Sequence, residues 1–199
     1  MYDVECTILS VLDIVHRTSN TVHQNMKLFL IGFMGCGKSY VGRLLAAKMG
    51  FAFVDADSVI ENTEGAKIAE IFDSQGETYF RKIESEILRG FGKWDNIVVA
   101  TGGGAPCFHD NMDWMNENGI TVYLKTSPVL LMERLKSEAA HRPILGGRTD
   151  DDLLQFIEQK LEERNPFYSQ ATLTIEQEGN GEEMVGYIVN ALYERVSAN

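Results

Sequence analysis

Basic residues and long apolar runs are both scarce in this 199-residue sequence. Its 18 lysines and arginines are outnumbered by 29 aspartates and glutamates, which gives a net charge of −11. Nucleic-acid binding requires clustered positive charge, so we expect no nucleic-acid partner. No apolar run approaches the roughly 18 residues that a membrane-spanning helix needs, so we expect no membrane association. An anionic ligand would therefore require the few cationic side chains to be concentrated around it.

Cysteine is scarce as well. Cys6, Cys36 and Cys107 are the three cysteines, and their number and spacing fit neither a disulfide framework nor a set of metal ligands. We therefore expect a reducing compartment and a cytoplasmic protein. A hydrophobic fraction of 44% and a charged fraction of 24% are typical of a globular protein with a buried core. The length indicates one domain.

Residues 1–25 do not resemble the rest of the chain. Asp3 and Glu5 occupy the region that is positively charged in a signal peptide, which argues against that interpretation. We interpret residues 1–25 as a disordered or dispensable N-terminal extension, and residues 26–199 as the folded domain.

The most informative stretch is Gly32-Phe33-Met34-Gly35-Cys36-Gly37-Lys38-Ser39. It matches the phosphate-binding loop pattern G-x-x-x-x-G-K-[ST], with an apolar run before it and helical spacing of apolar residues after it. Such a loop turns backbone N–H groups toward a phosphate chain at a helix N-terminus. In this pattern Lys38 contacts the terminal phosphates of ATP and Ser39 ligates Mg²⁺.

Strand-like and helix-like segments alternate after residue 26. Short apolar runs of strand length lie at 27–32, 51–54, 96–100, 120–124 and 171–175. Apolar residues recur at helical spacing in three further segments: Phe80, Ile83, Ile87 and Phe91; Leu153, Ile157 and Leu161; and Met184, Ile188, Ala191 and Leu192. This alternation predicts an α/β fold with a largely parallel sheet covered on both faces. Ligands of such sheets bind beyond the carboxyl ends of the strands.

Two carboxylates, Asp55 and Asp57, follow the second predicted strand. On an extended chain both would point the same way, toward the edge where the phosphate-binding loop opens. A carboxylate there can hold metal-bound water or accept a proton from an attacking hydroxyl group. Alternatively, Asp57 is simply the N-cap of a helix that begins near Ser58.

Charged residues and glycines mark two further places. Arg81 and Glu84 lie three residues apart on the helix that carries Phe80, and the sequence favours a surface ion pair there. The third predicted strand runs into Gly102, Gly103 and Gly104, which allow a ligand to approach the backbone closely. No acidic residue ends that strand, so the metal-binding role of a Walker B aspartate shifts toward Asp55.

Two other arginines stand out. Residues 138–148 lie between helices and contain small residues and glycines, which suits a mobile lid. Within it, Pro143 holds Arg142 extended. Arg164 lies near the end of a helix, where an arginine is ordinarily a partner of the helix dipole.

The ordered set of motifs G-x-x-G-x-G-K-S, D-x-D, F-R-x-x-E, G-G-G, R-P-[IL]-L and R-x-P-x-Y closely resembles the shikimate kinase family. The resemblance covers about residues 26–195. It implies a P-loop, nucleoside-monophosphate-kinase-like three-layer fold with a five-stranded parallel sheet. It also implies a substrate-binding part at about 55–92 and a lid at about 138–149. The implied reaction is transfer of the γ-phosphoryl group of ATP to the 3-hydroxyl of shikimate, on the route to chorismate and aromatic amino acids.

The resemblance also implies residue roles. Asp57 would grip the shikimate hydroxyls and act as base, Arg81 and Arg164 would bind the carboxylate, and Glu84 would brace this site. Gly102, Gly103 and Gly104 would line the ring. Lys38 and Arg142 would neutralise phosphoryl charge, and Asp55 would order the water shell of a Mg²⁺ bound by Ser39. The implied ATP-binding residues are Gly35, Cys36, Gly37, Lys38, Ser39, Tyr40, Arg134 and Arg142. The implied partners are ATP and shikimate, with a monomeric protein.

The chain departs from the family pattern at two places. The loop after the last strand, 178–181, lacks the arginine or proline that relatives often place near adenine, which leaves Arg134 as the candidate. Cys36 stands where alanine is common, and its position at a helix N-terminus predicts selective alkylation that nucleotide prevents. Two alternatives remain: a gluconate-kinase-like enzyme, and an inactive nucleotide-binding module of the same fold. The first would not be expected to combine Asp57 with Arg81, Arg164 and three glycines.

Overall fold

One five-stranded parallel sheet organises the protein, with the strand order β2-β3-β1-β4-β5. The computed structural model describes residues 25–138, 149–177 and 181–197. The strands are β1 (Lys27–Ile31), β2 (Ala52–Asp55), β3 (Ile97–Ala100), β4 (Ile120–Lys125) and β5 (Leu173–Glu176). All five predicted strands are present, so the predicted parallel sheet is confirmed.

Helices cover both faces of this sheet. They are α1 (Lys38–Met49), α2 (Ala56–Glu64), α3 (Ile68–Gly90), α4 (Asn111–Asn118), α5 (Pro128–Glu138), α6 (Asp150–Tyr168) and α7 (Gly181–Ser197). Two 3₁₀ turns, Phe91–Lys93 and Ala105–Cys107, flank β3. None of the helices within the described ranges is long and apolar enough to span a membrane.

The core consists of two apolar clusters, one on each face of the sheet. Side chains alternate between the faces along a strand. In β1, Leu28 and Leu30 therefore pack with α1, α5 and α7, whereas Phe29 and Ile31 pack with α2, α3 and α4. Because β1, β3 and β4 are buried on both faces, these strands read as nearly continuous apolar runs. The edge strand β5 instead alternates half-buried and exposed residues.

Strand order determines which loops become neighbours. β1 lies between β3 and β4, and Leu30 pairs with Ala100. Ala100 pairs in turn with Asp55 of β2. The phosphate-binding loop, the triple-glycine turn and the two aspartates therefore leave the sheet at one edge, the carboxyl edge at which such sheets bind ligands.

Helices α3 and α6 depart from the expected boundaries. The apolar stripe predicted within residues 75–91 lies in α3, but this helix begins earlier, at Ile68, and bends at Gly76. Gly76 has φ 81° and ψ 168°, a conformation essentially restricted to glycine. Helix α6 continues through Pro166 to Tyr168, so the proline lies in its last turn.

Several predictions lie outside the described residues. They concern residues 1–24 of the N-terminal extension, residues 139–148 of the lid with Arg142, and residues 178–180 of the loop after β5. The described helix α5 leads into the predicted lid, and α6 begins just beyond it with Thr149 as its N-cap.

Candidate active site

The phosphate-binding loop joins β1 to α1. Gly35 and Gly37 have φ values of 79° and 88°, which side-chain-bearing residues rarely adopt, so the chain can turn tightly around a ligand there. Lys38 is buried, and its Nζ donates hydrogen bonds to the carbonyl oxygens of Gly32 at 2.8 Å and Phe33 at 2.9 Å. The amino group of Lys38 is therefore held beside the backbone of the phosphate-binding loop.

Cys36 lies inside this loop with 0% of its surface exposed. Its thiol accepts a 3.6 Å contact from Lys38 Nζ. A reagent cannot reach a fully covered sulfur in the folded protein, so the structure does not support the expected selective alkylation of Cys36. The sequence indicated the helix N-terminus correctly but could not indicate the packing above the sulfur.

Ser39 and Asp55, the two residues predicted to serve a metal, are in contact. Ser39 Oγ donates a hydrogen bond of 2.5 Å to Asp55 Oδ2. Asp55 Oδ1 also accepts a hydrogen bond from the Ser58 N–H at 3.4 Å, which makes Asp55 the N-cap of α2. The interpretation of Asp57 as the N-cap was therefore wrong. The expectation that both carboxylates lie on extended chain was also wrong, because Asp57 belongs to the first turn of α2.

The triple-glycine turn after β3 is the meeting point of the predicted substrate residues. A Cβ atom at Gly102 would overlap Glu84 Oε1 and lie 3.0 Å from Asp57 Oδ1. A Cβ atom at Gly104 would lie 2.8 Å from Arg81 Nη2, and one at Gly103 would lie 3.5 Å from Arg164 Nη1. Four charged side chains from α2, α3 and α6 thus converge on one backbone turn. A methyl group at Gly102 or Gly104 would crowd Glu84, Asp57 or Arg81, whereas one at Gly103 would come closest to the backbone N of Met34, at 3.2 Å.

Arg81 and Glu84 form a buried ion pair, so the expectation of a surface pair was wrong. Arg81 Nη1 lies 2.7 Å from Glu84 Oε2, and the two side chains are only 11% and 2% exposed. Arg81 also pairs with Glu77 at 3.1 Å. The ring of Phe108 lies 4.2 Å from the guanidinium carbon of Arg81, within the range of a cation–π contact. These contacts hold the guanidinium plane in one orientation beside Gly104.

Burial raises the pKa of Glu84 above its ordinary value of 4.5. The positive charge of Arg81 and its hydrogen bond lower the pKa, Asp57 adds a smaller upward contribution and Arg164 a smaller downward one, and the net shift is upward. The carboxyl group of Glu84 therefore retains its proton to higher pH in the folded protein than in the unfolded chain.

This shift predicts how stability depends on pH. Just above pH 4.5 the unfolded chain releases the Glu84 proton while the folded protein keeps it, so the contribution of Glu84 to the free energy of unfolding falls as pH rises. We expect wild type to lose stability relative to Glu84→Gln as pH rises from 4.5 through the raised folded pKa. Urea unfolding across this range measures the difference. Glu86→Gln is the control, because Glu86 is exposed and pairs only loosely with Lys82, at 3.8 Å. If the free energy of unfolding of wild type minus that of Glu84→Gln stays constant or rises with pH, the assignment is contradicted.

Arg164 has an unusual environment at the other side of the glycine turn. Its Nη1 atom is buried and has no hydrogen-bond partner among the described residues. The guanidinium carbon lies 5.2 Å from the centre of the Phe33 ring. A buried donor without a partner costs free energy, so this position beside Gly103 suits a ligand that carries an acceptor.

Tyr168 supports the same turn from α6. Its hydroxyl group donates a 2.5 Å hydrogen bond to the carbonyl oxygen of Gly103, and its ring lies 5.0 Å from that of Tyr123. Burial raises the pKa of Tyr168, and the charge of Arg164 opposes this shift only in part. The hydroxyl group therefore keeps its proton and remains a donor that anchors Gly103.

Two contributors were missed by sequence reasoning. Phe108 packs on Arg81, and Gln177 bonds to the phosphate-binding loop, with its Nε2 atom 2.9 Å from the carbonyl oxygen of Cys36. Gln177 directly follows β5, so the rule that ligands lie at the carboxyl ends of strands could have drawn attention to it. Nothing in the local pattern around Phe108 signals its contact with Arg81, which lies 27 residues earlier in the chain.

The site combines a phosphate-binding loop with a glycine turn that two guanidinium groups approach, both at the carboxyl edge of a parallel sheet. This combination is typical of P-loop kinases of small molecules. The sequence model of the family described as Shikimate kinase matches residues 34–193 of the chain. The chain belongs to the shikimate kinase family, a family of ATP-using enzymes.

Individual relatives agree with this membership. A shikimate kinase of Bacteroides fragilis is 45% identical over 146 residues, which cover 73% of this chain and 82% of the relative. The crystal structure of shikimate kinase from Bacteroides thetaiotaomicron is 40% identical with a TM-score of 0.81, and the match covers 84% of this chain and 98% of that one. The structure of shikimate kinase from Acinetobacter baumannii in complex with shikimate is 33% identical with a TM-score of 0.77, covering 86% and 94%. The predicted fold class is thereby confirmed, and the gluconate-kinase-like alternative is not favoured.

Proposed function

We propose that this protein transfers the γ-phosphoryl group of ATP to the 3-hydroxyl of shikimate, giving shikimate 3-phosphate and ADP. The observation that carries the proposal is the pair of guanidinium groups at the triple-glycine turn. One of them, Arg164, has a buried N–H donor without a partner among the described residues. A buried cationic donor of this kind calls for an anionic acceptor, and shikimate carries one carboxylate.

Arg81 is suited to bind that carboxylate together with Arg164. A guanidinium group has five N–H donors. In the described contacts, Glu77 accepts hydrogen bonds from the Nε–H of Arg81 and from one N–H of its Nη2. Glu84 accepts one from Nη1. These contacts leave one N–H on each terminal nitrogen, and a guanidinium group can bind a carboxylate through two such donors. Glu84 in this arrangement braces Arg81 and does not contact the ligand's charge directly.

Asp57 would serve the hydroxyl end of shikimate. Its Oδ1 lies near Gly102, whereas the two arginines lie near Gly103 and Gly104. A carboxylate in this position can accept hydrogen bonds from ring hydroxyl groups and take the proton of the attacking 3-hydroxyl. The ring itself would lie along Gly102, Gly103 and Gly104.

The phosphate-binding loop would hold ATP opposite the acceptor. We assign the contacts with its phosphates to Gly35, Cys36, Gly37, Lys38 and Ser39, with Tyr40 and Arg134 nearby. Arg142, which lies outside the described residues, would add positive charge from the lid. Phosphoryl transfer depends mainly on positioning and charge stabilisation, so no covalent nucleophile is required.

Mg²⁺ fits Ser39, in the first turn of α1, and Asp55, at the end of β2. Within the described ranges, no three His, Cys, Asp or Glu side chains are grouped to hold a metal ion. Ser39 and Asp55, in mutual contact at 2.5 Å, suit a Mg²⁺ that keeps most of its ligands as water and phosphate oxygens. Ser39 would ligate the ion and Asp55 would order its water. When bound, Mg²⁺ would neutralise charge on the transferring phosphoryl group.

Every side chain in this assignment comes from one chain, so we propose that the protein works as a monomer. The net charge of −11 also fits small-molecule substrates and not nucleic acid.

A coupled assay of ADP formation tests the proposal. Reactions with MgATP and shikimate, with MgATP and gluconate, and with MgATP alone should give turnover only in the first. The reason is that gluconate presents its carboxylate on a flexible chain and not on a ring shaped to the glycine turn. Turnover with gluconate, or none with shikimate, would refute the proposal; equal ADP formation without an acceptor would identify an ATPase.

A further inference from the structure

Gln177 connects three elements around the phosphate-binding loop. It is the first residue after β5, and its backbone N–H donates to the carbonyl oxygen of Lys125 at 2.8 Å, which extends the sheet ladder by one bond. Its side-chain Nε2 donates to the carbonyl oxygen of Cys36 at 2.9 Å. Its Oε1 accepts hydrogen bonds from Arg134 Nη1 at 2.6 Å and from Thr126 Oγ1 at 2.8 Å.

The bond to Cys36 bears directly on the phosphate-binding loop. A trans peptide is planar, so its carbonyl oxygen and its N–H point in opposite directions. When Gln177 holds the carbonyl of Cys36, it also fixes the direction of the Gly37 N–H. That N–H belongs to the group of backbone donors that such loops present to phosphate.

This peptide needs an external restraint. Gly35 and Gly37 flank Cys36, and both have positive φ, so the peptide between Cys36 and Gly37 is bordered by backbone that rotates easily. Nearby main-chain bonds do not hold this carbonyl: the Cys36 N–H donates to Phe33, and the Gly37 carbonyl accepts from Val41. Gln177 is the described side chain whose amide reaches the carbonyl of Cys36.

The Oε1 atom of Gln177 links the phosphate-binding loop to α5. Arg134 lies on this helix, and besides Gln177 it contacts the carbonyl oxygen of Gly35 at 3.5 Å. Thr126 is buried at the end of β4, so it gives Gln177 a fixed support. The two carbonyl oxygens of the loop, at Gly35 and Cys36, are thus held from outside by one connected network.

We propose that Gln177 is a positioning residue for nucleotide binding: it aims the Gly37 N–H at the phosphates of ATP by holding the Cys36 carbonyl. This inference rests on the proposed function only in that ATP is the phosphoryl donor. It does not depend on which molecule accepts the phosphoryl group.

Gln177→Met tests this role, because methionine keeps the length of the side chain and removes both polar ends. We expect the KM for MgATP and the Kd for MgADP to rise about 3- to 10-fold, the effect of losing one or two ordinary hydrogen bonds. The KM for shikimate and the thermal midpoint should stay near the wild-type values. Gln159→Met is the matched control, because Gln159 is exposed on α6, where its amide donates to Glu163 at 3.4 Å, far from the phosphate-binding loop. It should behave as wild type.

Gln177→Glu distinguishes the hydrogen bond that Gln177 donates to Cys36 from the two that it accepts from Arg134 and Thr126. A carboxylate can still accept hydrogen bonds from Arg134 and Thr126 but cannot donate to Cys36, so weakened MgADP binding should persist. Wild-type affinity in Gln177→Glu, or an unchanged Kd in Gln177→Met, would overturn the proposal. Equal losses for nucleotide and shikimate with a lowered thermal midpoint would also overturn it, since they indicate a purely structural role. MgADP affinity is measured by calorimetry without shikimate, so failure of shikimate turnover would refute the proposed function and leave this test intact.

Discussion

Replacement of Asp57 by asparagine is expected to lower kcat for shikimate phosphorylation by about 10²- to 10⁴-fold, the usual contribution of a general base. Asparagine has nearly the same shape and can still hydrogen-bond to hydroxyl groups, but it cannot take the proton of the attacking 3-hydroxyl. Asp57 lies in the first turn of α2, facing Gly102, and not in the phosphate-binding loop. Affinity for MgADP should therefore be retained.

Steady-state kinetics and calorimetry with MgADP check this expectation together. Asp73→Asn is the matched control, because Asp73 is an exposed residue of α3 and no described contact ties it to the glycine turn. A kcat within a few-fold of wild type in Asp57→Asn would refute its role as base. Loss of MgADP binding would show instead that Asp57 serves the nucleotide.

Replacement of Arg164 by methionine is expected to raise the KM for shikimate about 10- to 100-fold, because a hydrogen bond to a charged group is worth about 1.5–3 kcal/mol. The KM for MgATP should change little. The free energy of unfolding should change by less than about 1 kcal/mol, because removal of a buried unsatisfied donor offsets the lost contact with Phe33. Binding and stability should thus respond differently to the same substitution.

Two further variants make this result interpretable. Arg164→Lys keeps the charge but loses the planar fork, so it should recover only part of the shikimate affinity. Arg43→Met is the matched control: Arg43 also packs on an aromatic ring, 5.1 Å from the centre of Phe53, but lies on α1 away from the glycine turn. An unchanged KM for shikimate in Arg164→Met would exclude Arg164 as a carboxylate ligand.

Close approaches explain the three glycines of the turn after β3. Glu84 and Asp57 occupy the space that a Cβ atom of Gly102 would fill, and Arg81 does so at Gly104. At Gly103 the close neighbour is the phosphate-binding loop itself, since a Cβ atom would lie 3.2 Å from the backbone N of Met34. In a chain with a net charge of −11, two guanidinium groups at one turn supply the local positive charge that favours binding of a carboxylate.

Local sequence patterns were a good guide to the elements of the fold. The five predicted runs correspond to five strands. The runs of β1, β3 and β4 stand out because strands buried on both faces are apolar along most of their length, whereas β5 at the sheet edge alternates half-buried and exposed residues. The loop after β1 also followed from local pattern, since its glycines and lysine act within eight consecutive residues. The roles assigned to Asp57, Arg81 and Arg164 remain predictions that the experiments above address.

Local patterns failed where burial or a neighbouring element decided the outcome. The spacing of Arg81 and Glu84 predicted an ion pair correctly, but it could not indicate that the triple-glycine turn buries it. The D-x-D motif did not reveal that α2 begins between its two aspartates, so that Asp55 and not Asp57 caps the helix. Cys36 is buried in an apolar cluster that includes Leu124 and Leu135, residues far from it in the chain.

The sequence by itself determined the elements and their order along the chain, and the family to which the motifs belong, because strand periodicity and the phosphate-binding loop depend on residues close together in the chain. Only the tertiary structure decided the strand order β2-β3-β1-β4-β5, and with it the meeting of Asp57, Arg81 and Arg164 at Gly102–Gly104. It alone brought Gln177 to the carbonyl of Cys36, 141 residues earlier. Such contacts arise when distant segments pack against one another, and no local pattern encodes them.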